Sequence, residues 1–304
     1  MSKKMVDYFT ASLLILLGIV GTLLNDKLQY KFGVLIGVLI RIFMKKRRII
    51  TEQNLKLAYP EKDLSAIKLI VNESFKNLGI TAIEIASMKY MSDNRILRKV
   101  IGFEGESIYD EAKASGKPMM VISSHFNNWE LPGFYSSIAK NNILHMIIKK
   151  QSNERIDKEI NKIRARAGTK TIDMDNAARK IISVFRSGGC VAMIVDQSAL
   201  GDKGVLYPHF FNIPSATYAS PAYLALKFDA NMLLVVIIRH NTGKYILYCE
   251  KIQTEDLKCD DEGVSILTQR HVTALERVIR QYPAQWVWQH RRWKRMPKVA
   301  ENAN

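Results

Sequence analysis

Short apolar runs separated by helical stretches constrain this chain more than any other feature. Residues 119–122, 191–195 and 233–238 are almost wholly apolar and read as strands buried on both faces. Helical patterns fall between and after them, near 127–140, 153–166, 175–187, 215–228 and 264–281. A long helix precedes them over 63–90, where Leu64, Ile67, Ile70, Val71, Phe75, Leu78 and Ile83 keep a 3.6-residue spacing after a start signal at Pro60. Strand–helix alternation implies an α/β fold, with a mainly parallel central sheet flanked by helices. The run 244–250 is placed as an antiparallel edge beside its predecessor.

The N-terminus obeys different rules. Residues 8–24 carry no charge and are bounded by Asp7 and by Asn25-Asp26. That length is the lower limit for a membrane-spanning helix, and the absence of a small-residue cleavage site favours a retained anchor over a signal peptide. A second apolar run, 32–43, contains Arg41 and leads into Lys45, Lys46, Arg47 and Arg48. It fits a helix lying at a lipid interface, or equally a core helix with a solvated end. Basic residues are denser after the first segment than before it, which places the remaining chain in the cytoplasm. The chain therefore divides into an anchor and basic interfacial segment (1–49), one folded domain (50–297) and a disordered tail (298–304).

The 304 residues include 45 lysines and arginines against 29 aspartates and glutamates, a net charge of +16. Such a surplus predicts an anionic partner. Cys190, Cys249 and Cys259 form no CxxC pair, which argues against a disulfide framework or a zinc cluster. No P-loop, dinucleotide fingerprint or GxSxG is present.

The stretch from Val121 to Glu130 concentrates the chemistry. A strand runs into Ser123-Ser124-His125, and a helix start is expected at Asn127 or Asn128. His125 thus falls beyond the carboxyl end of a strand, where open α/β sheets gather their ligand sites. On one continuous helix His125 and Glu130 would diverge by about 140°. With His125 in the loop they can meet, so that Glu130 accepts the Nδ1 proton and leaves Nε2 as a general base. Taken alone, HxxxxE is a weak pattern.

Its company is more specific. The chain resembles the late acyltransferases of lipid A biosynthesis, within the lysophospholipid acyltransferase superfamily. The resemblance rests on Asn54-Leu55 to Tyr59-Pro60-Glu61, His125 to Trp129-Glu130, Asp196-Gln197, Pro208 to Asn212, Arg239 with Gly243 to Tyr245, and Pro283 to Lys294. It implies a glycerolipid-acyltransferase-like fold on the cytoplasmic face of the bacterial inner membrane. It also implies a metal-free and cofactor-free enzyme that moves an acyl chain from acyl carrier protein, or from acyl-CoA, to a hydroxyl of an anionic glycolipid. Lysophospholipid, aminolipid and phosphoinositol glycoside acceptors are the alternatives, and no nucleic acid partner is implied. His125 would be the base and Glu130 its partner.

The resemblance makes Arg164 the match to a family arginine. Arg166, Lys149, Lys150, Asn128, Asp196 and Gln197 join it as substrate-binding candidates. Two departures stand out: Asn127-Asn128 where family members often have glycine, and Lys149-Lys150 where they often have arginine. Lysine neutralises phosphate but lacks the planar fork of arginine. Asp196-Gln197 fits either an acceptor site or the bracing of neighbouring loops. Phe210-Phe211 fits an acyl wall or simple loop packing. Trp286, Trp288 and Trp293, interleaved with arginine and lysine, read as a membrane-interface segment, with internal arginine–tryptophan stacking as the alternative.

Overall fold

The computed structural model describes residues 2–297 apart from 175, 176, 241 and 296, so the expected tail over 298–304 lies outside the described residues. Five helices come first: α1 (Lys3–Leu23), α2 (Asp26–Phe43), α3 (Lys45–Ala58), α4 (Leu64–Met88) and α5 (Asp93–Leu97). Then follow β1 (Val100–Glu104), α6 (Glu106–Ala114), β2 (Met119–Ser123), α7 (Leu131–Ile138), β3 (Leu144–Ile148), α8 (Glu154–Arg166), β4 (Lys170–Asp173), α9 (Ala177–Arg186) and β5 (Cys190–Ile194). Two small ribbons, β6 (Val205–Leu206) with β9 (Thr217–Tyr218) and β7 (His209–Phe210) with β8 (Ile213–Pro214), precede α10 (Ser220–Lys227). The chain closes with β10 (Asn231–Arg239), β11 (Tyr245–Ile252) and α11 (Asp261–Gln281).

The main sheet has seven strands in the order β1-β11-β10-β2-β5-β3-β4. Every neighbouring pair is parallel except β10–β11. The α/β class and the antiparallel pair match the sequence reading, but β11 is no edge, because β1 pairs with its other side in parallel. Alternate residues of β2 serve opposite faces: Met120 and Ile122 pack with Leu224 and Leu275, whereas Met119 and Val121 pack with Tyr109 and Leu144. From β2 the chain runs past β5 to β3, and from β5 it runs back past β2 to β10. Connections leaving two adjacent parallel strands in opposite directions mark the switch point where such sheets bind ligands.

The N-terminal helices are built into this unit. A Cβ at Gly33, Gly37 or Gly79 would collide with backbone atoms of the facing helix, so α2 and α4 lie against each other with nothing between them. One end of α1 is fastened to α4 and α5. Thr22 Oγ1 reaches the Ser87 carbonyl at 3.3 Å, and Arg95 donates to the carbonyls of Thr22 and Leu24. Its other end rests on α8, where Asn153 Nδ2 donates to Thr10 Oγ1 (2.9 Å) and the Arg155 guanidinium stacks 3.5 Å from the Tyr8 ring centre. Residues 4–23 are long and apolar enough to cross a membrane, and most of that surface faces outward. The basic cluster 45–48 opens α3, which continues without a break across position 50.

A buried polar network clamps α4 to β10 and β11. Glu84 lies 3.3 Å from Lys99 Nζ and 3.5 Å from Arg239 Nη2, and it accepts from the Tyr245 hydroxyl. Buried charges persist only when paired and hydrogen-bonded, and here each has a partner. The three C-terminal tryptophans are in the core, Trp288 with no exposed surface, stacked with Tyr59, Phe210 and Phe211. The membrane-interface reading of 285–298 is thereby corrected: their rings supply the packing that fixes the end of the chain. Phe210 and Phe211 belong to the same cluster, which makes them loop packing.

Candidate active site

Strand register assembles the site. Ser123 at the end of β2 is aligned with Ile194 at the end of β5. His125 and Asp196 each lie two residues further on, so they face each other across the switch point. His125 Nδ1 is 2.8 Å from Asp196 Oδ1. Asp196 Oδ2 accepts from the His125 backbone N–H and from Trp286 Nε1, both at 2.8 Å. The carboxylate is therefore acceptor to three donors and is almost fully enclosed.

The charges reinforce this arrangement. Burial raises the Asp196 carboxyl, but the facing imidazole and three hydrogen bonds outweigh it and hold the group below its usual range. Burial likewise works against a charged His125. Asp196 through charge and hydrogen bond, joined by the charge of Glu130, overcomes it and raises the imidazole above its ordinary value. An Nδ1–H shared with a carboxylate fixes one tautomer and leaves the Nε2 lone pair for the cavity that His125 lines.

The expected contact of Glu130 with His125 Nδ1 is corrected here. Glu130 immediately precedes α7, which starts at Leu131, later than the expected 127 or 128. From there the carboxylate meets α8: Arg164 Nε donates to Oε2 at 2.9 Å and Nη2 to Oε1 at 2.6 Å. This bidentate pair commits two of the guanidinium nitrogens of Arg164 and leaves Nη1 for any other ligand. At His125 the two partners act with opposite sign, Glu130 raising the pKa and Arg164 lowering it.

The other candidates separate by place. Arg164, Lys149 and Gln197 line the same cavity as His125 and Glu130, and Gln197 Nε2 stands 3.5 Å from His125 Nδ1. Lys150 pairs with Asp173 at 3.1 Å. Asn128 is buried, with its amide 3.7 Å from Met88 Sδ, and does not line that cavity. Arg166 turns to the far side of α8, where it donates to the Met88 carbonyl and to Asp93 at 2.5 Å. A substrate-binding role for Arg166 finds no support in that placement, because i and i+2 on a helix diverge by about 200°.

Two contributors escaped the sequence reading. Trp286 is hydrogen-bonded to Asp196, and its segment pairs with the His125 loop: Val287 N–H donates to the His125 carbonyl (3.1 Å) and Asn127 N–H to that of Gln285 (3.0 Å). Asn127 is the second. Its φ of +46° is left-handed, the region glycine enters freely and asparagine enters best among the rest. Its side chain donates to the Ile237 carbonyl (3.0 Å) and accepts from Arg239 Nη1 (3.1 Å), bonds that glycine lacks. Position 127 thus keeps the loop geometry and adds a tie to β10.

Trp129, Met146 and Ile194 line both the His125 cavity and a neighbouring apolar space bounded by Val121, Gly133, Ala192, Val235 and Leu247. Its polar lining includes Ser123, Lys140 and Tyr109, whose hydroxyl bonds Ser136 Oγ at 2.7 Å and Asn142 Nδ2 at 2.8 Å. Among the described residues no group of three histidine, cysteine, aspartate or glutamate side chains is placed to hold a metal.

A mainly parallel sheet with a carboxylate-steered imidazole at its switch point, next to an apolar space, has the build of an α/β enzyme that handles an apolar substrate. Residues 1–295 match the model of the bacterial lipid A biosynthesis acyltransferases, and the chain belongs to that family. It is 25% identical over 267 residues to the lipid A biosynthesis palmitoleoyltransferase of Escherichia coli K12, covering 87% of this chain and 84% of the relative. It is also 25% identical to the lauroyltransferase of the same organism (88% and 86% covered) and 22% identical to a lipid A biosynthesis acyltransferase of Haemophilus influenzae (83% and 79%).

Proposed function

We propose that this acyltransferase is an O-acyltransferase of the bacterial inner membrane that moves a fatty acyl chain from acyl carrier protein to a hydroxyl of a phosphorylated lipid A precursor. The single observation that carries the mechanism is the His125–Asp196 hydrogen bond, which in the neutral ring keeps the proton on Nδ1 and makes Nε2 the basic nitrogen. His125 takes the proton of the acceptor hydroxyl as its oxygen attacks the thioester carbonyl. The carbon–sulfur bond breaks, the thiolate leaves, and the imidazolium returns the proton to sulfur. Asp196 stabilises the imidazolium between those two events, the part the sequence had given to Glu130. Glu130 instead holds Arg164 at the cavity wall.

The apolar space below Trp129 adjoins the His125 cavity, and its lining suits methylenes of the donor chain next to the thioester carbonyl. Lys149, Gln197 and the free edge of Arg164 are the polar contacts offered to the acceptor and its phosphates. Exposed Leu16, Ile19, Leu35, Leu39 and Phe43 on α1 and α2, followed by the basic cluster 45–48, support seating on an anionic bilayer from its cytoplasmic side. The +16 charge supports docking of an acidic carrier.

The test is acyl transfer by detergent-purified protein and its His125→Ala variant, with acyl carrier protein and acyl-CoA offered as separate donors. Transfer to a lipid A precursor that vanishes in the variant supports the reading. Undiminished transfer by His125→Ala rejects it.

A further inference from the structure

The underside of α1 is open to a second apolar space. Between its two fastened ends, at Thr10 on α8 and Gly18 on α4, the helix bridges a groove about 12 Å long at 1.5 Å per residue. Leu14 and Leu17 form its roof, Ala82 and Ile85 of α4 its floor, and Ile160 of α8 its side. Its inner end is Trp129, and Ile85, Trp129 and Ile160 also line the cavity that holds His125. The groove therefore adjoins the cavity of the reacting imidazole through Ile85, Trp129 and Ile160, with the Lys89–Glu159 ion pair as a polar part of its wall.

The placement of α1 says which phase this groove meets. A helix that crossed the bilayer would carry Tyr8 and Thr10 to the opposite side from Gly18. Here Tyr8 and Thr10 rest on Arg155 and Asn153 of the same folded unit that holds Gly18 and Thr22. Both ends of α1 are thus on one side, and its exposed Leu13, Leu16 and Ile19 enter a single leaflet. In that pose the groove opens sideways into acyl chains.

We propose that this groove is a binding site for one hydrocarbon chain of the lipid acceptor, which enters laterally from the leaflet while the donor chain takes the apolar space below Trp129. The inference rests on the acyltransferase reading above. It assigns the two apolar spaces by the phase each opens to. A chain delivered on a water-soluble carrier takes the space that no residue of α1 or α2 lines; a chain already in the bilayer takes the groove that α1 roofs. Trp129, which lines both, separates the two chains beside His125.

Photo-crosslinking of the full chain in nanodiscs tests it. A lipid acceptor with a diazirine on its acyl chain is expected to label Leu14, Leu17, Ala82, Ile85 or Ile160. An acyl donor with the same group is expected to label Val121, Val235 or Tyr109. Acceptor adducts confined to Leu16 and Ile19 on the outer face, or found at Val121, Val235 or Tyr109, would overturn the assignment. Crosslinking needs no turnover, so a protein that labels as expected but transfers no acyl group fails the enzymatic reading alone. As a second measure, Ala82→Phe should raise the KM for a diacyl acceptor roughly tenfold relative to a deacylated headgroup analogue, as if about two methylenes lost burial. An unchanged ratio in the folded variant would also overturn it.

Discussion

Replacing Asp196 with asparagine should cost more than the loss of one negative charge. Oδ2 accepts two buried donors, the His125 backbone N–H and Trp286 Nε1–H, whereas Oδ1 accepts only Nδ1–H. An asparagine can serve both sides only by flipping. If its amide oxygen stays on the Oδ1 side, its NH2 confronts two N–H donors, at about 1–3 kcal/mol each. If it flips, the oxygen satisfies both donors and the NH2 faces Nδ1, which must then accept and move its proton to Nε2. The second arrangement wins by about 2–6 kcal/mol, and the imidazole it holds cannot act as a base. At ~1.4 kcal/mol per tenfold, kcat/KM should fall between roughly thirtyfold and ten-thousandfold, with the fold intact. The assay is initial-rate acyl transfer from a radiolabelled carrier-bound donor, with circular dichroism as the folding control. Activity within about threefold of wild type would refute the reasoning, because no tautomer control would then be operating.

Several further outcomes are expected. The kcat/KM of wild type should fall with decreasing pH through a limb above the ordinary histidine value of 6.5, since the His125 pKa is raised in the fold and only the neutral ring is a base. The same shift adds stability that is fully present below the unfolded pKa and is lost as pH rises through the folded one, measurable as a pH-dependent denaturant midpoint. Glu130→Gln should move the acid limb toward lower pH, because that charge helps to raise the imidazole pKa. Trp286→Phe removes one donor from Asp196 and should lower kcat/KM by about tenfold to a hundredfold, the worth of one hydrogen bond to a charged group. Ala192→Leu narrows the apolar space below Trp129 and should shift donor preference to shorter chains, read by mass spectrometry of product from mixed donors. Glu84→Leu strands Lys99 and Arg239 without their carboxylate and should cost about 3–5 kcal/mol in urea unfolding.

The fold was legible where burial writes itself into composition. Strands β2, β5 and β10 are buried on nearly every residue and stand out as apolar runs. The edge strands β1 and β4 were not legible, because Gly102 and Glu104 interrupt one and Lys170 and Asp173 bound the other. Each has one neighbouring strand, so neither needs a continuous apolar sequence. At the site, His125 was readable from its place after a strand, and so was the approach of Asp196 to the same sheet edge. Their partnership was not, because it depends on β5 lying beside β2 although β3 and β4 come between them in the chain. Proximity along the chain favoured Glu130, and the late start of α7 carried it to Arg164 instead. The tryptophan-rich end was misread for a related reason: aromatic–basic alternation looks the same whether rings pack inward or outward, and it is pairing with the distant His125 loop, the Phe126–Trp286 bridge included, that brings them inside.

The bare backbone contact of α2 with α4 has a practical corollary. Where Gly33 and Gly37 meet Gly79, the first two helices are load-sharing parts of the enzyme and no detachable leash. Trimming them to obtain a water-soluble version would uncover Phe75 and Ile80, surfaces no solvent is meant to touch. A shortened form should therefore clump rather than behave as a free-standing catalyst, and exchanging the segment for a generic hydrophobic tether should rescue neither its solubility nor its activity.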